Sequence, residues 1–232
     1  MIPMFDPMYF VFLAPGLILS LWASWRVKSN FRKYSAVRSM RGLTGAQAAA
    51  ELLRQGGIQD VRIERSHGML SDHYNPVTRT LALSDKVYGS TSVAAIGIAS
   101  HEAGHALQHA QNYGPLRLRS ALVPTASIGS NIGYFVMAIG LFIDPALVVI
   151  GAIIFSAVLL FQVVTLPVEF DASNRAKVLV LKSGLIYPDE RKGMDKVLNA
   201  AALTYVAAVV STMLTLLYFL LRAGLLGGRS DD

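Results

Sequence analysis

Four stretches of the chain carry almost no charge: residues 7–25, 121–143, 145–164 and 200–221. Each is long enough to cross about 30 Å of hydrocarbon as a helix. Residues 7–25, PMYFVFLAPGLILSLWASW, end in tryptophans suited to a membrane interface. Only Asp144 separates the second and third stretches, and Pro145 suits a helix start, so the two predict a tight membrane hairpin. Gly129, Ser130, Asn131 and Gly133 in its first arm suit close helix packing.

The polar segments 26–119 and 166–199 read differently. Thr44 and Gln47 form a capping box for a helix that Gly56 and Gly57 stop. Residues 61–64 alternate as a strand should, and 80–83 give a second short strand, with Asn75-Pro76 turning the chain between them. Residues 80–83 are read either as a sheet edge able to take up an extended peptide or as plain core. The run 92–99, SVAAIGIA, predicts a buried helix that Gly114 and Pro115 end. A helix over 171–182 is expected to close at Gly184, and Pro188 to open another that runs into the fourth span. The tail GGRSDD, 227–232, is expected to fray.

Composition narrows the class. Of 232 residues, 53% are hydrophobic and 16% charged, with mean hydropathy +0.45. That is too apolar for an ordinary soluble domain and predicts a multi-pass membrane protein in a lipid bilayer. The net charge of +6 raises nucleic acid as a partner. The basic residues instead cluster beside the apolar spans, so no nucleic-acid partner is expected. Arg26, Lys28, Arg32, Lys33, Arg38 and Arg41 follow the first span, while the only charge before it is Asp6. A cleaved signal peptide would reverse that order. The positive-inside rule then puts the intervening region in the cytoplasm. With no cysteine there is neither a disulfide framework nor a thiolate nucleophile or metal ligand.

The chemistry concentrates in SHEAGHALQHAQ, residues 100–111, which contains the HExxH pattern His101-Glu102-Ala103-Gly104-His105. Helical residues four apart have Cβ atoms roughly 5 to 6 Å apart, so both imidazoles can reach one Zn²⁺ at about 2.0 to 2.1 Å. Glu102 lies about 100° round the helix, placed to hydrogen-bond a water in the open fourth position and act as general base. Ala103, Gly104 and Ala106 leave room for another backbone to pass. His109 continues the stripe, but eight residues of helix advance about 12 Å, too far for one ion to bind all three histidines. The remaining ligand must come from downstream, where Glu169 in LPVEFDASNRA is the leading candidate and Asp171 its rival. The hairpin returns Glu169 to the side of the membrane that holds His101 and His105, as one shared zinc requires. Oxyanion donors are sought among His67, His73 and Tyr74 between the strands, and at Tyr205 near the entrance to the fourth span.

HEAGHALQ followed far downstream by PVEFDASNRA resembles the YugP-type neutral zinc metallopeptidases of bacteria, and DHYNP (72–76) and LNAAALTYVAA (198–208) match as well. More distantly, EFDAS resembles the ExxxD element of the HtpX and CAAX-prenyl membrane proteases. That resemblance implies Glu169 as third ligand. Ser173 departs from it by standing where that element has aspartate, so Asp171 or Asn174 is left to support a ligating histidine.

The expected protein is a mainly α membrane protein. It has four transmembrane helices and a small α+β zincin-like region carrying HExxH on a helix. One Zn²⁺ is held by His101, His105 and Glu169, with Glu102, Tyr205 and His73 as catalytic candidates. The expected activity is endopeptidase cleavage of polypeptides, membrane proteins among them, at the cytoplasmic face of the bacterial inner membrane. Two other readings compete. In an intramembrane protease HExxH would sit within a span, which the polar Gln108, His109, Gln111 and Asn112 disfavour. A non-catalytic metal-binding scaffold has no need of Glu102, since structural zinc is usually closed by four protein ligands.

Overall fold

The computed structural model describes residues 6–68 and 71–226; the tail at 227–232 lies outside the described residues. In chain order the elements are α1 (Pro7–Ser35), α2 (Gly45–Gln55), β1 (Arg62–Ser66), β2 (His73–Asn75), β3 (Thr80–Ser84), α3 (Asp85–Tyr88), α4 (Val93–Ala110), α5 (Gly114–Ile143), α6 (Pro145–Lys182) and α7 (Pro188–Arg222). Among the described residues α1, α5, α6 and α7 are long and apolar enough to cross a membrane. The chain divides into two compact units. One comprises Met1–Ala23, Leu118–Leu166 and Thr204–Asp232; the other comprises Ser24–Arg117 and Pro167–Leu203.

The first unit is the membrane unit. Val11, Ile18, Phe135 and Ile153 point outward, an inversion of soluble packing that suits hydrocarbon rather than water. Inside, Met137, Val148, Tyr218 and Phe219 form the apolar centre. The hairpin of α5 and α6 closes on glycine: a Cβ at Gly133 would stand 2.7 Å from the amide nitrogen of Phe155, so only glycine admits this approach. Asn131 behaves differently from the packing role expected of it, because it lies on an exposed face of α5. The Oγ of Ser130 turns back to the carbonyl of Ser127 at 3.0 Å.

The second unit carries the sheet. Thr44 caps α2 with the reciprocal Gln47 bond, and Gly57 follows at φ +71°. The strand order is β1-β3-β2, with β1 parallel and β2 antiparallel to β3. This corrects the edge reading of residues 80–83. All five residues of β3 are buried; each pairs with β1, and Thr80, Leu81 and Ala82 also pair with β2, which makes β3 the central strand. The edges are β1 and β2. His73 and Tyr74, expected in a loop, form β2, and Asn75 opens the turn to β3 by accepting from the amides of Val77 and Thr78.

Two helix boundaries also differ from expectation. Helix α4 ends at Ala110 with Gln111 as cap, and Gly114 and Pro115 begin α5, where proline belongs in a first turn. Helix α6 passes through Pro167 without a break, joining the third span to the expected helix over 171–182. Val168, Ala172, Ala176 and Val180, four apart and each 0% exposed, give this part of the helix a continuous buried stripe. Burial of that stripe outweighs the one hydrogen bond that Pro167 removes.

Candidate metal centre

Ser92 caps α4 by accepting from the amide of Ala95, and the helix then runs through the core with Ile96, Ala99 and Ala103 buried against α2, β3 and α6. Gly104 faces α6 at Ala172. This close approach brings His101 and His105 beside Glu169, one turn before Ala172 on α6.

The donor atoms converge. The Nε2 of His101 lies 3.2 Å and the Nε2 of His105 3.5 Å from Oε2 of Glu169. One ligand atom from each residue falls within a 4.8 Å cluster. Atoms bonded at about 2.0–2.1 Å to one tetrahedral ion stand about 3.3–3.4 Å apart, close to the two spacings from the imidazoles to Glu169. The imidazoles meet edge to face, with ring centroids 4.7 Å apart. Glu169 is only 3% exposed at its side chain. Burial pushes its carboxyl upward, but the two imidazoles beside it outweigh this and hold it below the usual carboxylate range. Burial lowers His105 in turn, and the nearby Glu169 and Glu102 carboxylates raise it overall.

Both rings are held from behind. The Oγ of Ser173 lies 3.1 Å from Nδ1 of His101, so serine itself makes the contact that was left to Asp171 or Asn174. The Oε1 of Gln108 lies 3.0 Å from Nδ1 of His105. Gln108 is held by Val168 and Asp171, and Asp171 also takes the Nε of Arg175 at 2.5 Å. Asp171 thus stands behind the His101, His105 and Glu169 cluster, one bond removed from His105. The sequence reading passed over Gln108, although its position three after His105 puts it beside that ring on a helix.

Glu102 is 8% exposed. Among the described residues none gives its carboxylate a hydrogen bond, an arrangement a buried carboxylate tolerates when water completes it. His109 is outside the cluster, with its Nδ1 2.8 Å from the hydroxyl of Tyr74. His67 is exposed near Asp85. His73 is exposed on β2, with its Nδ1 2.9 Å from the carbonyl of Ser71. Tyr205 stands half-buried on α7, in the membrane unit.

Comparison with known proteins agrees with this geometry. Residues 9–224 match the model of a family described as "putative neutral zinc metallopeptidase". A Bacillus subtilis (strain 168) protein described as "putative membrane protease YugP" is 44% identical over 227 residues, covering 97% of this chain and 100% of the relative. No solved structure matches significantly. With the family model spanning nearly the whole chain, the protein belongs to this neutral zinc metallopeptidase family.

Proposed function

We propose that the protein is a membrane-bound zinc endopeptidase in which His101, His105 and Glu169 hold one zinc ion and Glu102 is the general base. The observation that carries this reading is the convergence of two imidazole nitrogens on one buried carboxylate oxygen at 3.2 and 3.5 Å. Zinc there supplies Lewis acidity toward a substrate carbonyl and lowers the pKa of a water to about 7. Glu102 takes the proton from the attacking water on a carboxylate oxygen and delivers it to the leaving amine nitrogen. A structural site does not require this carboxylate.

Tyr205 and His73 are the candidate donors to the developing oxyanion. Their chemistry separates them. A carbonyl only accepts, so the His73 Nδ1–H is committed to Ser71. That commitment sets His73 second to Tyr205.

The substrate is a polypeptide. Extended chains add to free strand edges through main-chain hydrogen bonds, and β2 is an edge strand that packs on α4. The basic residues of 26–41, with Arg191, Lys192 and Lys196, belong to the same unit as the metal centre. Their charge favours the cytoplasmic face of the inner membrane.

The test is Glu102→Gln in the purified full-length protein. Zinc content stays at the wild-type level while cleavage of an unfolded protein substrate falls at least about 10²- to 10⁴-fold. Proteolysis that survives the substitution refutes the assignment.

A further inference from the structure

We infer that Gln108 is a positioning residue that fixes which nitrogen of His105 is available to the metal, with Asp171 holding Gln108 in the required orientation. The inference rests on the zinc reading above.

Gln108 is 0% exposed, so its amide must find partners within the protein. Its Nε2 lies 2.8 Å from the carbonyl oxygen of Val168 and 2.7 Å from Oδ2 of Asp171. A carbonyl and a carboxylate can only accept here, so both must face the amide N–H bonds. This settles the orientation of the amide and leaves Oε1 toward the ring. Oε1 has no proton to give. His105 Nδ1, 3.0 Å away, must therefore be the donor. A neutral imidazole carries one proton, and with that proton on Nδ1 the lone pair is at Nε2, the nitrogen that faces Glu169.

The same argument does not hold for His101. Its Nδ1 meets the hydroxyl of Ser173, which donates as readily as it accepts. The hydroxyl therefore accommodates either tautomer, while the amide imposes one. Asp171 makes the imposition firm. Its Oδ2 is shared between Gln108 and Arg175, and Arg175 also bonds Gln111, so the carboxylate is fixed in place. Flipping the Gln108 amide would place its oxygen against that carboxylate. The arrangement runs from Arg175 through Asp171 and Gln108 to His105, with every donor and acceptor matched.

Two substitutions separate positioning from packing. Gln108→Leu keeps the volume but removes the acceptor for His105. Gln108→Glu keeps an acceptor toward His105 but loses at least one donor toward Val168 or Asp171, so it destabilises the fold. Zinc affinity is measured by chelator competition on the full chain in detergent, and stability by thermal melting of the metal-free protein. Gln108→Leu is expected to weaken zinc binding roughly 10- to 100-fold, and Gln108→Glu to stay within about threefold of wild type despite a lower melting temperature. Wild-type affinity in Gln108→Leu overturns the inference, as do affinities that follow the melting temperatures in both variants. Failure of the wild-type chain to bind zinc overturns the ligand assignment and the inference with it. Zinc binding by wild type with no response to Gln108→Leu overturns the positioning role alone.

Discussion

Gly104 on the motif helix and Ala172 on α6 meet backbone to backbone: a Cβ at Gly104 would stand 2.6 Å from the carbonyl oxygen of Ala172. No rotamer change relieves a contact with main chain. The glycine sits one residue before His105, and Ala172 three after Glu169, so the approach that glycine permits also sets the separation of His105 from Glu169. Gly104→Ala is therefore expected to push α4 from α6, costing about 1–3 kcal/mol of stability. It should reduce zinc retention at the same time. Melting and metal analysis of the same preparation check both effects, and a fully metallated Gly104→Ala protein with wild-type stability would contradict the packing account.

Ser173 offers a graded test of the support behind His101. Ser173→Ala removes the Nδ1 partner but leaves the ring packed. Because serine does not select a tautomer, the loss of zinc affinity should be smaller than for Gln108→Leu, below about tenfold. Ser173→Asp replaces the hydroxyl by a pure acceptor, which demands Nδ1–H and should restore or tighten binding. Chelator competition across the three variants gives the order directly.

Metal removal should be felt by the fold. Glu169 is a buried carboxylate whose neighbours are two imidazoles, so stripping zinc takes away the charge that best balances it. Dialysis against a chelator is expected to lower the melting temperature, and added zinc to restore it. At free zinc 100 times the dissociation constant the stabilisation is about 2.7 kcal/mol. Glu169→Ala should melt at the same temperature with or without zinc. Asp171→Ala should still respond to the ion, though more weakly, because it acts through Gln108.

Tyr205→Phe tests the proposed oxyanion donor. It should lower kcat by about 10²–10³-fold with zinc content unchanged. His73→Ala is expected to change kcat little, because its Nδ1–H is already given to the carbonyl of Ser71. Steady-state kinetics on a fluorogenic peptide, with metal analysis alongside, distinguishes the two, and a large kcat loss in His73→Ala would reverse their order.

Local pattern alone determined a good part of this protein. The four apolar runs name the spans because hydrocarbon demands length and hydropathy, both of which are local properties of a chain. The Thr44 and Gln47 cap and the paired histidines of α4 were legible for the same reason, since helical geometry relates residues three or four apart wherever the helix lies. Sequence also narrowed the distant carboxylate to two neighbours in one short segment.

Tertiary structure decided what depends on contacts between segments far apart in the chain. Strand order is one case: residues 80–83 look equally like an edge or a centre until β1 and β2 pair on either side. The continuity of α6 through Pro167 is another, since the stripe that outweighs the lost hydrogen bond is buried only once the helix packs. Glu169 and Asp171 are both carboxylates of one helix, and chemistry in isolation does not rank them. Packing turns Glu169 to the imidazoles and Asp171 to the amide of Gln108, because residues two apart on a helix point about 200° apart.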